Sequence, residues 1–344
     1  MRELLLHSGL HKTGTTYLQH MLLANRAHLA AAGLTPAPFL NPIEGNHLPL
    51  IRALHAGGYA PAAFAQAFDA IAAAPGDRLI ITAEELSTLV LQHPDRSEAL
   101  RDAALARGLR PRILICLRRQ DHLQESIFGQ ATRSWYHGDI RDFSTYRLDH
   151  DARLRAIEAV FGQENVRVML YRDEGPNDLL AGFLAALGIP LDRAALAPVP
   201  PRNRTAHRRQ VLFMSQLPKS PRARNDRAHM AFNMRVARIL RASGAVADDG
   251  GRDLLSPRER HDLVARHLEG NRALAARYGI DGAGSFLELP DPDAPWTPPA
   301  PISAAERRAA FRAVLRGFWG RRNWAAALAD STRAGLVFAR MPRS

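Results

Sequence analysis

Hydrophobic positions cluster in short runs along the first 190 residues, and each run ends in polar or turn-forming residues. Glu3–Leu6 reads as a short strand closed by a Gly- and Thr-rich turn. Thr15–Ala32 follows with Leu18, Leu22 and Leu29 at helical spacing, which predicts a helix. Arg78–Thr82 (RLIIT), Arg112–Leu117 (RILICL) and Val166–Tyr171 (VRVMLY) read as three further strands. RILICL is apolar at nearly every position, the pattern of a parallel strand buried on both faces. Leu179–Leu187 (LLAGFLAAL) predicts a helix stopped by Gly188 and Pro190. Strands that alternate with helices predict a three-layer α/β fold, with a central parallel sheet flanked by helices.

The pattern changes after Pro198. PVPPRNRTAHRRQ and PKSPRARNDR are Pro-rich and basic, and read as exposed loops around a short helix. Ser256-Pro257-Arg258-Glu259 is a helix start, with Ser as N-cap, Pro at the first position and Glu at the third. The helix it opens is expected to run to about Tyr278. Asp291–Pro301 carries too many prolines for a packed element. Ala304–Trp319 then predicts an amphipathic helix. Phe311, Val314, Leu315, Phe318 and Trp319 share one face, and Arg308, Arg312 and Arg316 form a ladder on another. The expected organisation is one domain over residues 1–290, a Pro-rich linker over 291–302 and a basic amphipathic extension over 303–344.

A chain of 344 residues with 46% hydrophobic and 23% charged residues is not a disordered one. Its 46 Lys and Arg against 34 Asp and Glu give a net charge of +12, which favours anionic ligands. Cys116 is the single cysteine, so neither an intrachain disulfide nor a cysteine metal cluster is expected. The N-terminal apolar run is too short for a signal peptide, and no stretch reaches the roughly 18–20 apolar residues of a membrane span. The expectation is a cytoplasmic protein, with the basic amphipathic helix suited to peripheral contact at the inner membrane surface.

The strongest chemical signal is HSGLHKTGTTYLQ, His7–Gln19, between a strand and a helix. Such a turn aims backbone N–H groups at an anion. Gly9 and Gly14 allow tight turning, Lys12 adds a mobile charge, and Thr15 and Thr16 open the helix. In the nucleotide triphosphatase pattern GxxxxGK[ST] the two glycines keep this spacing, but here Thr15 occupies the lysine position. Lys12 comes two residues before the second glycine. That shift argues against ordinary ATP or GTP hydrolysis. A P-loop kinase or nucleotidase using ATP and magnesium, with Glu84 as a metal ligand, stays as the alternative.

KTGTT between a strand and a helix resembles the 5′-phosphosulfate loop of sulfotransferases, which use 3′-phosphoadenosine 5′-phosphosulfate (PAPS). The form H-x-G-x-x-K-T-G-T-T-x-L-Q is especially similar to bacterial carbohydrate-type sulfotransferases. The resemblance implies a P-loop-type fold, with the domain over 1–290 as the sulfotransferase domain, and PAPS as co-substrate with no metal. It implies that Lys12, Thr13, Gly14, Thr15 and Thr16 hold the 5′-phosphosulfate. In the family an arginine ending a strand and a serine eight positions later hold the 3′-phosphate; Arg118 and Ser126 have that spacing, with Arg119 ranked lower. Asn203-Arg204-Thr205 resembles an N-x-[ST] element near the nucleotide, so Arg204 joins the nucleotide set.

Lys12 would also stabilise the leaving group in catalysis. The resemblance offers two general bases: Glu84, first choice, in ITAEEL after the second strand, and His47 in EGNHLPL. LLAGFLAALGIP and the stretch around Asn271 extend the similarity over about residues 2 to 279. Two features depart from it. Arg172-Asp173 follows Tyr171 where the family carries Glu, and the tail beyond about Pro290 matches no pattern of the family. The expected acceptor is a hydroxyl-bearing small molecule or glycan. Nucleic acid is not expected as a partner, because the basic residues are dispersed and aromatics are few.

Overall fold

A computed structural model describes residues 1–9, 13–48, 50–51, 61–145, 148–171, 179–190, 193–199, 206–219, 227–280 and 284–319. Lys12, His11, Arg202, Asn203, Arg204 and Thr205, with the 320–344 tail, lie outside these residues.

Five strands form one sheet: β1 (Arg2–Gly9), β2 (Leu34–Pro36), β3 (Arg78–Thr82), β4 (Leu109–Leu117) and β5 (Val166–Leu170), in the order β2-β3-β1-β4-β5. Every pairing is parallel, with Leu5 opposite Ile80 on one side and Arg112 on the other. The three longest predicted runs are therefore strands, as expected for a chain whose apolar runs are buried on both faces. β4 reaches back to Leu109 through Pro111. β5 pairs with it only from Ile113 onward, so the proline sits where one side of the strand has no partner. β2 is a three-residue edge strand inside a segment that reads as a loop, too short to leave an alternating pattern.

Helices cover both faces, which makes the fold α/β in three layers. On one face Leu5, Ile80, Leu114, Cys116 and Met169 pack against α1 (Thr15–Ala24), α2 (Arg26–Ala31) and α8 (Leu179–Ala186). On the other, α4 (Leu86–Gln92), α5 (Pro94–Leu105) and α7 (His150–Phe161) lie against β1, β4 and β5. α3 (Pro61–Ala73) precedes β3. The helix expected over Thr15–Ala32 is broken at Asn25. Its side-chain amide bonds the Met21 carbonyl at 3.0 Å and reaches the Ala197 carbonyl and N–H at 3.1 and 2.7 Å, so the residue serves as an anchor.

The chain forms two compact units, each assembled from three stretches. The first (1–120, 147–203 and 265–289) holds the sheet and α12 (Leu268–Tyr278). The second (121–146, 204–264 and 290–344) is helical. It contains most of α6 (Gln120–Thr132), then α9 (Arg208–Gln216), α10 (Arg227–Ser243), most of α11 (Pro257–Ala265) and α13 (Ala304–Trp319). The helix expected from Pro257 to Tyr278 is thus two helices, broken at Arg266-His267.

The start at Ser256 is a full capping box. Ser256 Oγ donates to Glu259 at 2.7 Å, and the Glu259 N–H returns a bond to Ser256 Oγ at 3.3 Å. Ser303 and Glu306 repeat it before α13. The core of the second unit joins Phe213, Phe232, Val236, Leu240, Val314 and Phe318. The Pro-rich stretch is held there: Arg208 and Arg209 of α9 bond the carbonyls of Thr297, Ala300 and Pro301, while Asp249 and Glu306 neutralise them. No helix among the described residues is long and apolar enough to cross a membrane.

Candidate functional site

The strand order creates a switch point in the first unit. From β1 the chain leaves toward β2 and β3, and from β4 it leaves toward β5. Ligands in open parallel sheets bind beyond the carboxyl ends of the strands where connections diverge in this way. Gly9 at the end of β1 is level with Cys116 of β4.

Two glycines build the connection between β1 and α1. Gly14 is left-handed at φ 75° and stands at the N-cap position. A Cβ there would collide with Leu179 and meet the Tyr171 ring at 3.2 Å. A Cβ on Gly9 would collide with the Thr15 hydroxyl. Both positions require the absent side chain. The Gly14 carbonyl accepts from Leu18 N–H at 3.2 Å, so α1 starts at Thr15 with no side-chain cap. The amides of Thr16 and Tyr17 then have no acceptor within the helix, and the helix dipole adds positive character there. Thr13 and Thr15 are buried, Thr16 is half-buried, and the Thr13 carbonyl lies 4.0 Å from Cys116 Sγ, over the end of β4. Lys12, between Gly9 and Thr13, is outside the described residues.

Arg118 follows β4 at the same edge. Its guanidinium carbon lies 5.0 Å from the centre of the Tyr171 ring, and the Tyr171 N–H bonds the Leu117 carbonyl at 2.7 Å. Tyr171 thus touches both the glycine turn and the arginine. The turn carrying Arg118 is pinned from below. His150 Nε2 donates to the Arg118 carbonyl at 2.8 Å. Gln120 and Asn271, both buried, exchange reciprocal amide bonds at 2.8 and 3.0 Å, and Gln120 also donates to the Leu148 carbonyl at 3.3 Å. Burial lowers His150 to about 3, with Arg153 acting in the same direction, so this donor stays neutral. Arg119 is buried. Ser126 is half-buried on α6 and belongs to the second unit.

The β3 side of the edge is a buried polar network in which His7 Nε2 lacks a hydrogen bond. His47 is fully buried, accepts the Thr82 N–H at Nδ1 (3.1 Å) and donates from Nε2 to the Ala37 carbonyl (3.0 Å). Its own N–H bonds the Thr82 carbonyl at 2.8 Å. Burial pushes its basicity down. Both ring nitrogens are thus committed to the backbone, which leaves no lone pair for a substrate proton. His47 supports structure here.

Thr82 Oγ1 also meets His7 Nδ1 at 2.9 Å and Gln19 Nε2 at 3.4 Å. His7 is buried, packs edge-on against Phe183, and is lowered to about 4 by burial against an opposing pull from Glu84. Glu84 is half-buried two residues past β3, and Glu85 half-buried beside it. The Ala83 N–H bonds the His7 carbonyl at 3.1 Å, so Glu84 emerges at the same edge as the glycine turn.

Tyr171, His150 and the Gln120–Asn271 pair are not marked by the sequence as site residues. The signal for Tyr171 is its place directly after an apolar strand, and that for Asn271 is the stretch that extends the resemblance; His150 and Gln120 carry no local pattern. Among the described residues no group of His, Cys, Asp or Glu could hold a metal ion.

Together these features define a class: a three-layer α/β protein with a five-stranded parallel sheet, a glycine turn after its central strand and an arginine directly after the neighbouring one. No known family's sequence profile matches the chain, and no curated protein matches it. Among solved structures, a sulfotransferase from Alicyclobacillus acidocaldarius is similar, with 17% identity, 70% of this chain and 96% of that chain covered, and a TM-score of 0.33. A likeness that distant carries no part of the argument below.

Proposed function

We propose that this protein is a sulfotransferase that moves a sulfuryl group from PAPS to a hydroxyl of a carbohydrate or glycolipid. One observation carries the reading: Lys-Thr-Gly-Thr-Thr, residues 12–16, connects the central strand to the first helix at the switch point, with Arg118 ending the adjacent strand. PAPS supplies an activated sulfur whose bond to the 5′-phosphate oxygen breaks as the acceptor oxygen attacks in line, so that adenosine 3′,5′-bisphosphate leaves with the electron pair.

This chain's residues then have separate tasks. The amides of Thr15 and Thr16, with Lys12, stabilise charge that grows on the leaving oxygen. Arg118 grips the 3′-phosphate through charged hydrogen bonds. Glu84 takes the proton of the acceptor hydroxyl. The charge leaves on the bisphosphate, where Lys12 and the loop amides offset it, and the acceptor proton goes to Glu84, so the scheme calls for no metal ion.

Calorimetric titration with adenosine 3′,5′-bisphosphate, beside ATP with magnesium, tests the reading. Binding of the bisphosphate, weakened in Arg118→Ala, is the expected result. Preference for ATP with magnesium would replace the sulfotransferase by the kinase or nucleotidase.

A further inference from the structure

α10 and α13 pack together in the second unit. A Cβ on Gly317 would meet Ile239 at 2.7 Å, and Phe232 and Phe318 lie 5.6 Å apart. Together the two helices carry eight arginines and a single acid, Glu306. That acid is already used. Arg209 holds it with two bonds of 2.7 Å, and this contact lowers Glu306 to about 2. Arg238 and Arg241 of α10 and Arg308, Arg312 and Arg316 of α13 are exposed. No hydrogen bond or ion pair within the described residues engages any of these five. Arg241 also stands close enough to Arg133 to repel its charge.

The apolar side of α13 is turned inward. Val314 and Phe318 are buried in the core, with Phe311 and Leu315 half-buried. Among the described residues of the two helices, Met234 is the only large exposed hydrophobe. A helix that lies in a bilayer needs an apolar face to insert, and the described apolar side chains of this one face the protein. Among the described side chains, the arginine face shows no exposed aromatic ring on which bases could stack. It offers guanidinium forks, which match carboxylates and tetrahedral oxyanions, phosphates and sulfates alike. Arg308, Arg312 and Arg316 repeat every fourth residue, a spacing of about 6 Å along the helix and on the scale of one sugar unit.

We infer that the exposed arginines of α10 and α13 form a docking surface for a linear anionic polysaccharide, which tethers an acceptor chain while one of its hydroxyls is modified. The choice of a glycan among polyanions rests on the proposed function; the surface itself does not.

The test is binding, without donor, to alginate and dextran sulfate. Neutral dextran, duplex DNA and vesicles of equal parts phosphatidylcholine and phosphatidylserine serve as comparisons. The patch variant is Arg308→Glu with Arg312→Glu and Arg316→Glu. A control of equal charge change carries Arg26→Glu, Arg258→Glu and Arg272→Glu, all exposed elsewhere. Arg308→Gln, Arg312→Gln and Arg316→Gln together provide a milder patch variant should the glutamates disturb folding.

The expected result is that wild type binds an anionic polysaccharide but not neutral dextran, in a salt-sensitive way. The patch variant should bind about tenfold more weakly, with a much smaller loss in the control. Equal losses in the two variants would reduce the effect to net charge and overturn the inference. Tighter binding to vesicles or DNA than to either polysaccharide would overturn it also. Titration of the patch variant with adenosine 3′,5′-bisphosphate separates the two readings. Intact bisphosphate binding with no polysaccharide binding in wild type removes the docking surface alone. Polysaccharide binding with no bisphosphate binding removes the sulfotransferase alone.

Discussion

The two flanks of β1 treat polar groups in opposite ways. On the β3 side, His7, Gln19, His47 and Thr82 bond one another and the backbone, out of water, and His7 Nε2 alone of these groups lacks a hydrogen bond. On the β4 side, a glycine turn opens α1 without a side-chain cap, and the Arg118 guanidinium lies over an aromatic face. Buried polar groups are costly unless paired, so a closed network stabilises a fold but has no capacity left for a ligand. Helix-start amides left to an outside partner are the reverse case. A histidine near a site, such as His47, therefore says little about catalysis until the partners of its two nitrogens are known.

That contrast breaks most sharply at Lys12. Lys12→Ala is expected to lower turnover by about a thousandfold while bisphosphate affinity changes little, because the lost charge acts on the leaving oxygen in the transition state. Steady-state kinetics beside titration check this. A loss of affinity equal to the loss of turnover would make Lys12 a binding residue only.

The next largest difference sets Glu84 against His47. Glu84→Gln should lower kcat by about a hundredfold and remove the acidic limb of the pH–rate profile. His47→Gln should leave that limb in place and act on stability, since it disturbs two backbone partners. Reversed outcomes would move the base to the β3 side.

Arg118→Ala should weaken bisphosphate binding roughly ten- to a hundredfold, the worth of hydrogen bonds to a charged group, with a smaller effect on kcat. A variant such as Asn271→Leu removes the amide partner of Gln120 without touching any ligand. It should reproduce part of that loss if the pinned turn is what aims Arg118.

How far the sequence shows these features follows from the range of the forces involved. RLIIT and RILICL announce buried parallel strands because each face repeats locally, and Ser256-x-x-Glu259 announces a cap because both partners lie within one turn. HSGLHKTGTT is legible for the same reason: strand, turn and helix start are contiguous. The Gln120–Asn271 pair joins residues 151 positions apart, and no local pattern foretells it. His47 looks like a base in a loop, and only its contacts with Ala37 and Thr82, set by β3, show that its nitrogens are committed. β2 was hidden because three residues at a sheet edge carry too little hydrophobic alternation. Asn25 broke an apparently continuous helix through a bond to residue 197, again at long range.

The smallest expected effect concerns pH, and it tests whether the β3 side is as closed as its hydrogen bonds imply. His7 is held at about 4 by burial, against 6.5 for an ordinary histidine. Between those values the unfolded chain carries a proton at this residue and the folded protein does not. The unfolded state therefore binds more protons, and stability present above pH 6.5 is lost as pH falls toward 4. The slope is about 1 kcal/mol per pH unit for one histidine. His47 and His150, also lowered by burial, act in the same direction. Glu125 acts in the opposite one, since burial pushes its carboxyl up to about 7. The total slope is thus a sum of opposing contributions, and only a difference isolates His7. Denaturant melts of wild type and His7→Gln at pH 7 and pH 5 provide it. The glutamine can still bond Thr82 and has no proton to gain, so its stability should fall less on acidification, by about 2 kcal/mol. An unchanged slope would mean that His7 is already reached by solvent, and the β3 side would then be as open to a ligand as the β4 side.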